Sequence, residues 1–230
     1  MDVFLALCAG LGLAAACGLR VFLPLFVAAI AVRAGALPIG PHFEWMGSNA
    51  AIILFGTACI VEIVGFLVPW VDHALDLLSA PLAAVAGAVL MTGQLLGGTT
   101  GADGTFVPYL HPAVAWSLGI LAGATTASGV EAASIAGRIS SSVLTIGWLN
   151  PIYGMFETAL AFVITIITIL VPVIAGIAVL LFLPVLGLAV WRILAWRRKQ
   201  RRAHEEKLRL ARERIALAMA HRAGKGTNAA

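Results

Sequence analysis

Charge is what this sequence has least of. Of its 230 residues only 11% are charged and 61% are hydrophobic, where soluble domains carry roughly a quarter charged. A soluble fold of that length could not cover so much apolar surface, so the surplus faces lipid. Cysteine is nearly absent too. Cys8, Cys17 and Cys59 all stand inside apolar runs without a CxxC pair, which excludes a disulfide framework and leaves them as small packing residues. HExxH and GxSxG patterns are missing. Hydrolysis therefore has no nucleophile–base constellation to rest on, and the chain reads as non-enzymatic, with no cofactor or metal implied. Met1-Asp2 lacks the basic start of a cleavable signal peptide, and the apolar pattern continues past any cleavage point.

Lysine is absent from most of the chain. Up to Trp191 there are three basic residues (Arg20, Arg33, Arg138) against eight acidic ones; from Arg192 onward there are twelve against three. The net charge of +4 is therefore a membrane body near −5 joined to a tail near +9. Such a juxtamembrane basic block marks the cytoplasmic side, because Lys and Arg resist translocation. Its excess suits anionic lipid headgroups rather than nucleic acid.

What is abundant is the apolar run. Six emerge: 3–32, 50–68, 81–96, 112–148, 152–171 and 173–196. A crossing helix needs about 20 residues to span a roughly 30 Å core. The second, fifth and sixth fit, and the third is completed by Asp76–Ala80 or Gly97. The first and fourth are too long for one straight span and carry interruptions, Gly18-Leu19-Arg20 ahead of Pro24 and Thr125-Thr126-Ala127-Ser128-Gly129-Val130-Glu131. Gly18, Pro24 and Gly129 are the expected helix breaks. Each stretch is either a broken crossing helix or a re-entrant hairpin, and both forms require a polar interior at membrane depth.

The halves also resemble each other. Phe55-Gly56-Thr57-Ala58 leads to Val68-Pro69 as Phe156-Glu157-Thr158-Ala159 leads to Val171-Pro172. The organisation read from this is a first membrane repeat (1–96), a Gly-rich flexible connection (97–111), a second repeat (112–196) and a partly helical cytoplasmic tail (197–230). Crossing breaks would make the repeats inverted, a transporter architecture; re-entrant ones would make them parallel. Either count is even and puts the N-terminus in the cytoplasm with the tail. The connection lacks the Lys-Ser/Thr ending of a phosphate-binding loop.

Charged residues inside apolar runs mark where chemistry sits, since each costs several kcal/mol in lipid unless paired or hydrated. Arg20, at the first break, is an anion contact, an ion-pair partner or a cap for freed carbonyls. Glu62 either pairs with Arg20 or carries protons. Glu131 and Glu157 occupy comparable places in the second half, and Arg138, seven residues past Glu131, shares its face if one helix runs through. The competing reading is a set of static ion pairs that lock the bundle. Asp72, His73 and Asp76 follow Pro69 at a helix start, where carboxylates suit the dipole; a solvated cytoplasmic end is favoured there over an incomplete metal site.

The stretch 18–26, Glu62 followed by Pro69, Asp72 and Asp76, and Pro81 leading into Ala-Gly-Ala resemble a bacterial integral-membrane domain of unknown function over most of residues 1–195. The resemblance implies a fold and no activity. The expectation is an all-α polytopic protein of the bacterial inner membrane. It acts as a small secondary transporter or channel for a proton-coupled or anionic (lipid-phosphate) substrate, or else as a scaffold subunit docking a membrane-complex partner or a second copy.

Overall fold

The computed structural model describes residues 3–65, 69–100, 103–145 and 150–182, with 184, 185, 188 and 192; for 69–77, 139–145, 150 and 151 it describes the backbone alone. The chain divides into compact units Met1–Leu186 and Gly187–Ala230; the first unit takes in the expected first repeat and residues 112–186 of the second. The expected tail helix lies outside the described residues.

The fold is helical: α1 (Val3–Leu19), α2 (Phe22–Arg33), a 3-10 turn (Pro41–Gly47), α3 (Asn49–Gly65), α4 (Pro69–Leu95), a two-stranded hairpin, α5 (Pro112–Leu118), a π-helical segment (Gly119–Gly123), α6 (Ala124–Thr145), α7 (Asn150–Leu170) and α8 (Pro172–Phe182). Leu78–Leu95, Pro112–Arg138 and Ile152–Leu170 are long and apolar enough to cross a membrane. A fourth span is added if Pro41–Gly47 and α3, bent by 62°, count as one. Large apolar side chains such as Ile60, Val64, Phe162 and Leu170 are exposed on the outside, as lipid contact requires.

Helix starts follow local chemistry. Ser48 Oγ accepts from Ala51 N at 3.1 Å, and His111 Nδ1 accepts from Ala113 N at 3.3 Å. Pro69, Pro112 and Pro172 open helices, where a missing N–H is no loss.

The first apolar stretch reverses. Midway along it, α1 packs Gly10 on Met91 of α4; near its end, Gly18 sits on Ala127 and Val130 of α6, and Ala127 lies against Gly87, further back along α4. After α2, Gly40 and Ile39 lie against Leu96 and Gly93, at the C-terminal end of α4 beyond Met91. The chain therefore doubles back at Arg20-Val21, the re-entrant form of the two that the sequence allowed. Proline explains the place, since its ring clashes with the carbonyl four residues back, and four before Pro24 is Arg20.

The fourth stretch does not break. Gly129 lies inside α6, and helix runs from Pro112 to Thr145 through the π-helical segment, correcting the expectation of a break at Gly129. No proline occurs between Pro112 and Pro151, and a lone glycine costs only about 1 kcal/mol in a helix. Thr125 hands its hydroxyl to the carbonyls of Leu121 and Ala122.

The Gly-rich connection is an antiparallel hairpin rather than a flexible linker, with Gly98 opposite Pro108, Thr99 opposite Val107 and Thr100 opposite Phe106. Threonine, phenylalanine and valine favour the pleat, and Gly104 at φ +79° turns between them. Asp103 accepts from the Thr105 hydroxyl and amide, which holds its carboxyl below the usual range.

α1 and α8 run side by side in the same direction: Gly12 meets Ala175, Cys8 meets Gly176, and Ala15 clusters with Val179.

Candidate functional site

The reversal at Arg20 frees N–H groups at the start of α2. Glu62, on the last turn of α3, takes two of them: Val21 N donates to Oε1 at 2.9 Å and Phe22 N to Oε2 at 3.1 Å. A carboxylate at a helix N-terminus satisfies orphan donors and meets the positive end of the dipole. The reversal is thus held by a remote side chain.

Arg20 itself points across to α7. Its Nη2 donates to the Gly154 carbonyl at 2.7 Å and stands 3.7 Å from Glu157 Oε2. Glu157 is shared, because Arg138 Nη2 lies 3.2 Å from the same oxygen while the Ser134 hydroxyl donates to Oε1. Arg138 also donates to Ser134 Oγ at 3.3 Å. Glu131 accepts from the Ser79 hydroxyl at 2.5 Å. Because α6 is continuous, Glu131, Ser134 and Arg138 follow at i, i+3 and i+7 on one face, as the seven-residue spacing required. Arg20 is within electrostatic reach of Glu62, Glu157, Arg138 and Glu131.

The five charged residues singled out from sequence therefore form one cluster, all of them buried. Of the expected breaks, Gly18 and Pro24 flank the reversal and Gly129 does not break its helix. Asp72, His73 and Asp76 fall in the first two turns of α4, as read; their side chains lie outside the described residues. Among the described residues no group of three or more His, Cys, Asp and Glu is placed to hold a metal.

Sequence reasoning missed Ser79, Ser134 and the Gly154 carbonyl. Ser134 was legible, standing four residues before Arg138 on the Glu131 face. Ser79 and Gly154 were not, since only packing brings α4 and α7 to the cluster.

Among the described residues, three carboxyls and two guanidinium groups share a low-dielectric interior. Beside them a cavity of about 580 Å³ opens between α1, α6, α7 and α8, with Ser134 and Tyr153 at its polar end. Tyr153 lays its hydroxyl against Gly137, next to Arg138.

Helices long and apolar enough to span a bilayer, holding a buried cluster of opposite charges, define an all-α polytopic membrane protein. Residues 7–193 match the domain of unknown function DUF4126, and the chain belongs to that family. No curated protein and no solved structure matches it.

Proposed function

We propose that the chain is a small secondary transporter or channel-like protein, without enzymatic activity, whose buried cluster carries protons. The observation that carries this reading is a set of ionisable groups, Glu62, Glu131 and Glu157 with Arg20 and Arg138, buried together inside a membrane-spanning bundle. A buried carboxylate is costly there, and a proton removes the charge at no cost in packing. A buried carboxyl that must exchange a proton when its neighbours move is what proton coupling needs. The alternative role of Arg20 as an anion contact has less support: it is 1% exposed and committed to Gly154 and Glu157.

A second reading, a scaffold locked by static ion pairs, is favoured by one observation: each of the three carboxyls already has a hydrogen-bond partner. The two separate on proton movement. In proteoliposomes with a trapped pH dye, an imposed potential should drive proton flux well above protein-free vesicles, and Glu157→Gln should abolish it with helicity intact. Flux equal to protein-free vesicles at every potential sinks the transporter and leaves the scaffold.

The tail belongs in the cytoplasm of a bacterial cell, on anionic headgroups, by its positive charge. The doubling back of α1–α2 and the continuity of α5–α6 make the two stretches unequal members of any internal repeat. A second copy or a membrane-complex partner has the exposed faces of α3 and α7 to dock on.

A further inference from the structure

We propose that the cavity between α1, α6, α7 and α8 holds one hydrocarbon chain of a membrane amphiphile, with its polar head at Tyr153. This names the substrate class of the transporter reading and rests on it.

The slot is made by spacing. Tyr153, Leu160, Ile164 and Ile167 line it from α7, a single stripe at steps of seven, four and three residues. At about 1.5 Å per residue that stripe is about 21 Å long, most of the way across a hydrocarbon core of roughly 30 Å. The opposite wall descends with it. Ile174 stands where α8 begins and Phe182 where its described part ends, so the described turns of α8, antiparallel to α7, flank about 12 Å of the groove. Small side chains keep the slot open, Ala15 on α1 and Ala178 on α8 among them.

Polarity is confined to one end. Ser134 and Tyr153 are the hydroxyl-bearing residues of the lining, and the remainder is apolar. Tyr153 lies in the first turn of α7, the depth at which an aromatic ring with a polar tip meets headgroups. Both hydroxyls adjoin the charge cluster: Ser134 bonds Glu157 and Arg138, and Tyr153 lies in their field. A polar solute would find no partners along 21 Å of hydrocarbon wall, whereas an acyl chain fits that wall and leaves its head beside groups able to register it. Lipid is also the medium that surrounds these helices. The fit is to a chain with a polar head, from a phospholipid or a free fatty acid.

The test uses the full chain in vesicles of three parts phosphatidylethanolamine to one part phosphatidylglycerol. Trace photoreactive probes carry the reactive group near the chain end: one phospholipid of each head type and one fatty acid. After irradiation, label should concentrate on the α7 and α8 peptides around Ile164, Ile167 and Ile174. Ala178→Trp, which fills the slot from an exposed position, should cut that label about tenfold, corresponding to about 1.4 kcal/mol. Val61→Trp on the outer face of α3 should leave it unchanged. Preference among the probes identifies the source. Label spread evenly over α3 and α7, or untouched by Ala178→Trp in protein with wild-type helicity, overturns the inference. Labelling needs no turnover, so its loss with proton flux intact removes the groove alone. Flux lost with labelling intact removes the transporter alone.

Discussion

Residues 3–33 and 112–145 each carry a glycine, an apolar residue and a charged residue inside a long apolar run, yet the chain turns back in the first and runs straight through the second. The difference lies outside the triplet. In the first stretch Pro24 clashes with the carbonyl at Arg20, and Glu62 waits at hydrogen-bond distance for the N–H groups set free. In the second there is no proline, and Gly129 is absorbed as any half-buried helical glycine is. Proline alone does not suffice either, because Pro81 sits inside α4 without ending it. A reversal buried within a membrane bundle needs both a break and partners for what the break exposes.

The strongest way to test that comparison is to remove the partner. Glu62→Ala leaves the start of α2 uncapped and upsets the balance around Arg20; losing one member of a buried charged set costs about 3–5 kcal/mol. The loss should appear in unfolding titrations of the reconstituted protein. Equal loss in Glu131→Ala would deny the first stretch its special dependence, since α6 is continuous without that carboxyl. Next, a break can be installed where the sequence seemed to place one. Ala133→Pro sets a ring against the carbonyl of Gly129, should destabilise by about 3 kcal/mol, and should open Val130→Cys to water-soluble thiol reagents. A variant as stable as wild type would show that proline does not decide the difference.

A smaller effect separates the glycines. A methyl group at Gly18 would lie 2.7 Å from Val130 Cβ and closer still to the Ala127 carbonyl. Gly18→Ala must push α1 from α6 and should cost about 1–3 kcal/mol. Gly129→Ala should instead gain a few tenths of a kcal/mol, up to about 1, from helix propensity; reversal of that order in thermal melts would refute the packing argument. The smallest effect is local to the hairpin. The Asp103 carboxyl is held low by its bonds to Thr105. Its contribution is therefore present above the unfolded value and lost as pH falls through the lower folded one. The Thr105 amide resonance should report that loss in acid, and Asp103→Asn should flatten it.

How much was legible follows from the same residues. A charged side chain in an apolar run has few ways to survive, so Arg20, Glu62, Glu131, Arg138 and Glu157 could be named from sequence as members of a buried set. The shared face of Glu131 and Arg138 was fixed by helical arithmetic once one helix ran through. Which carboxyl met which guanidinium was not legible. Glu62 was expected to pair with Arg20 or carry protons, and its bonds to the backbone N–H groups of Val21 and Phe22 had no sign in the sequence. The hairpin at Gly98–Pro108 was hidden because its glycines read as flexibility while its threonine and valine pairs act only across strands.

Composition by itself determined that the chain lives in lipid, is helical, and carries a basic tail apart from a sparsely charged body, because transfer free energy depends on what residues are present and in what runs. Tertiary structure alone decided that α1 and α2 double back, that α1 and α8 run parallel, and that Glu157 stands between two arginines beside an apolar groove. Those facts depend on which distant groups arrive to satisfy a freed N–H or a buried charge, and no local pattern encodes the arrival.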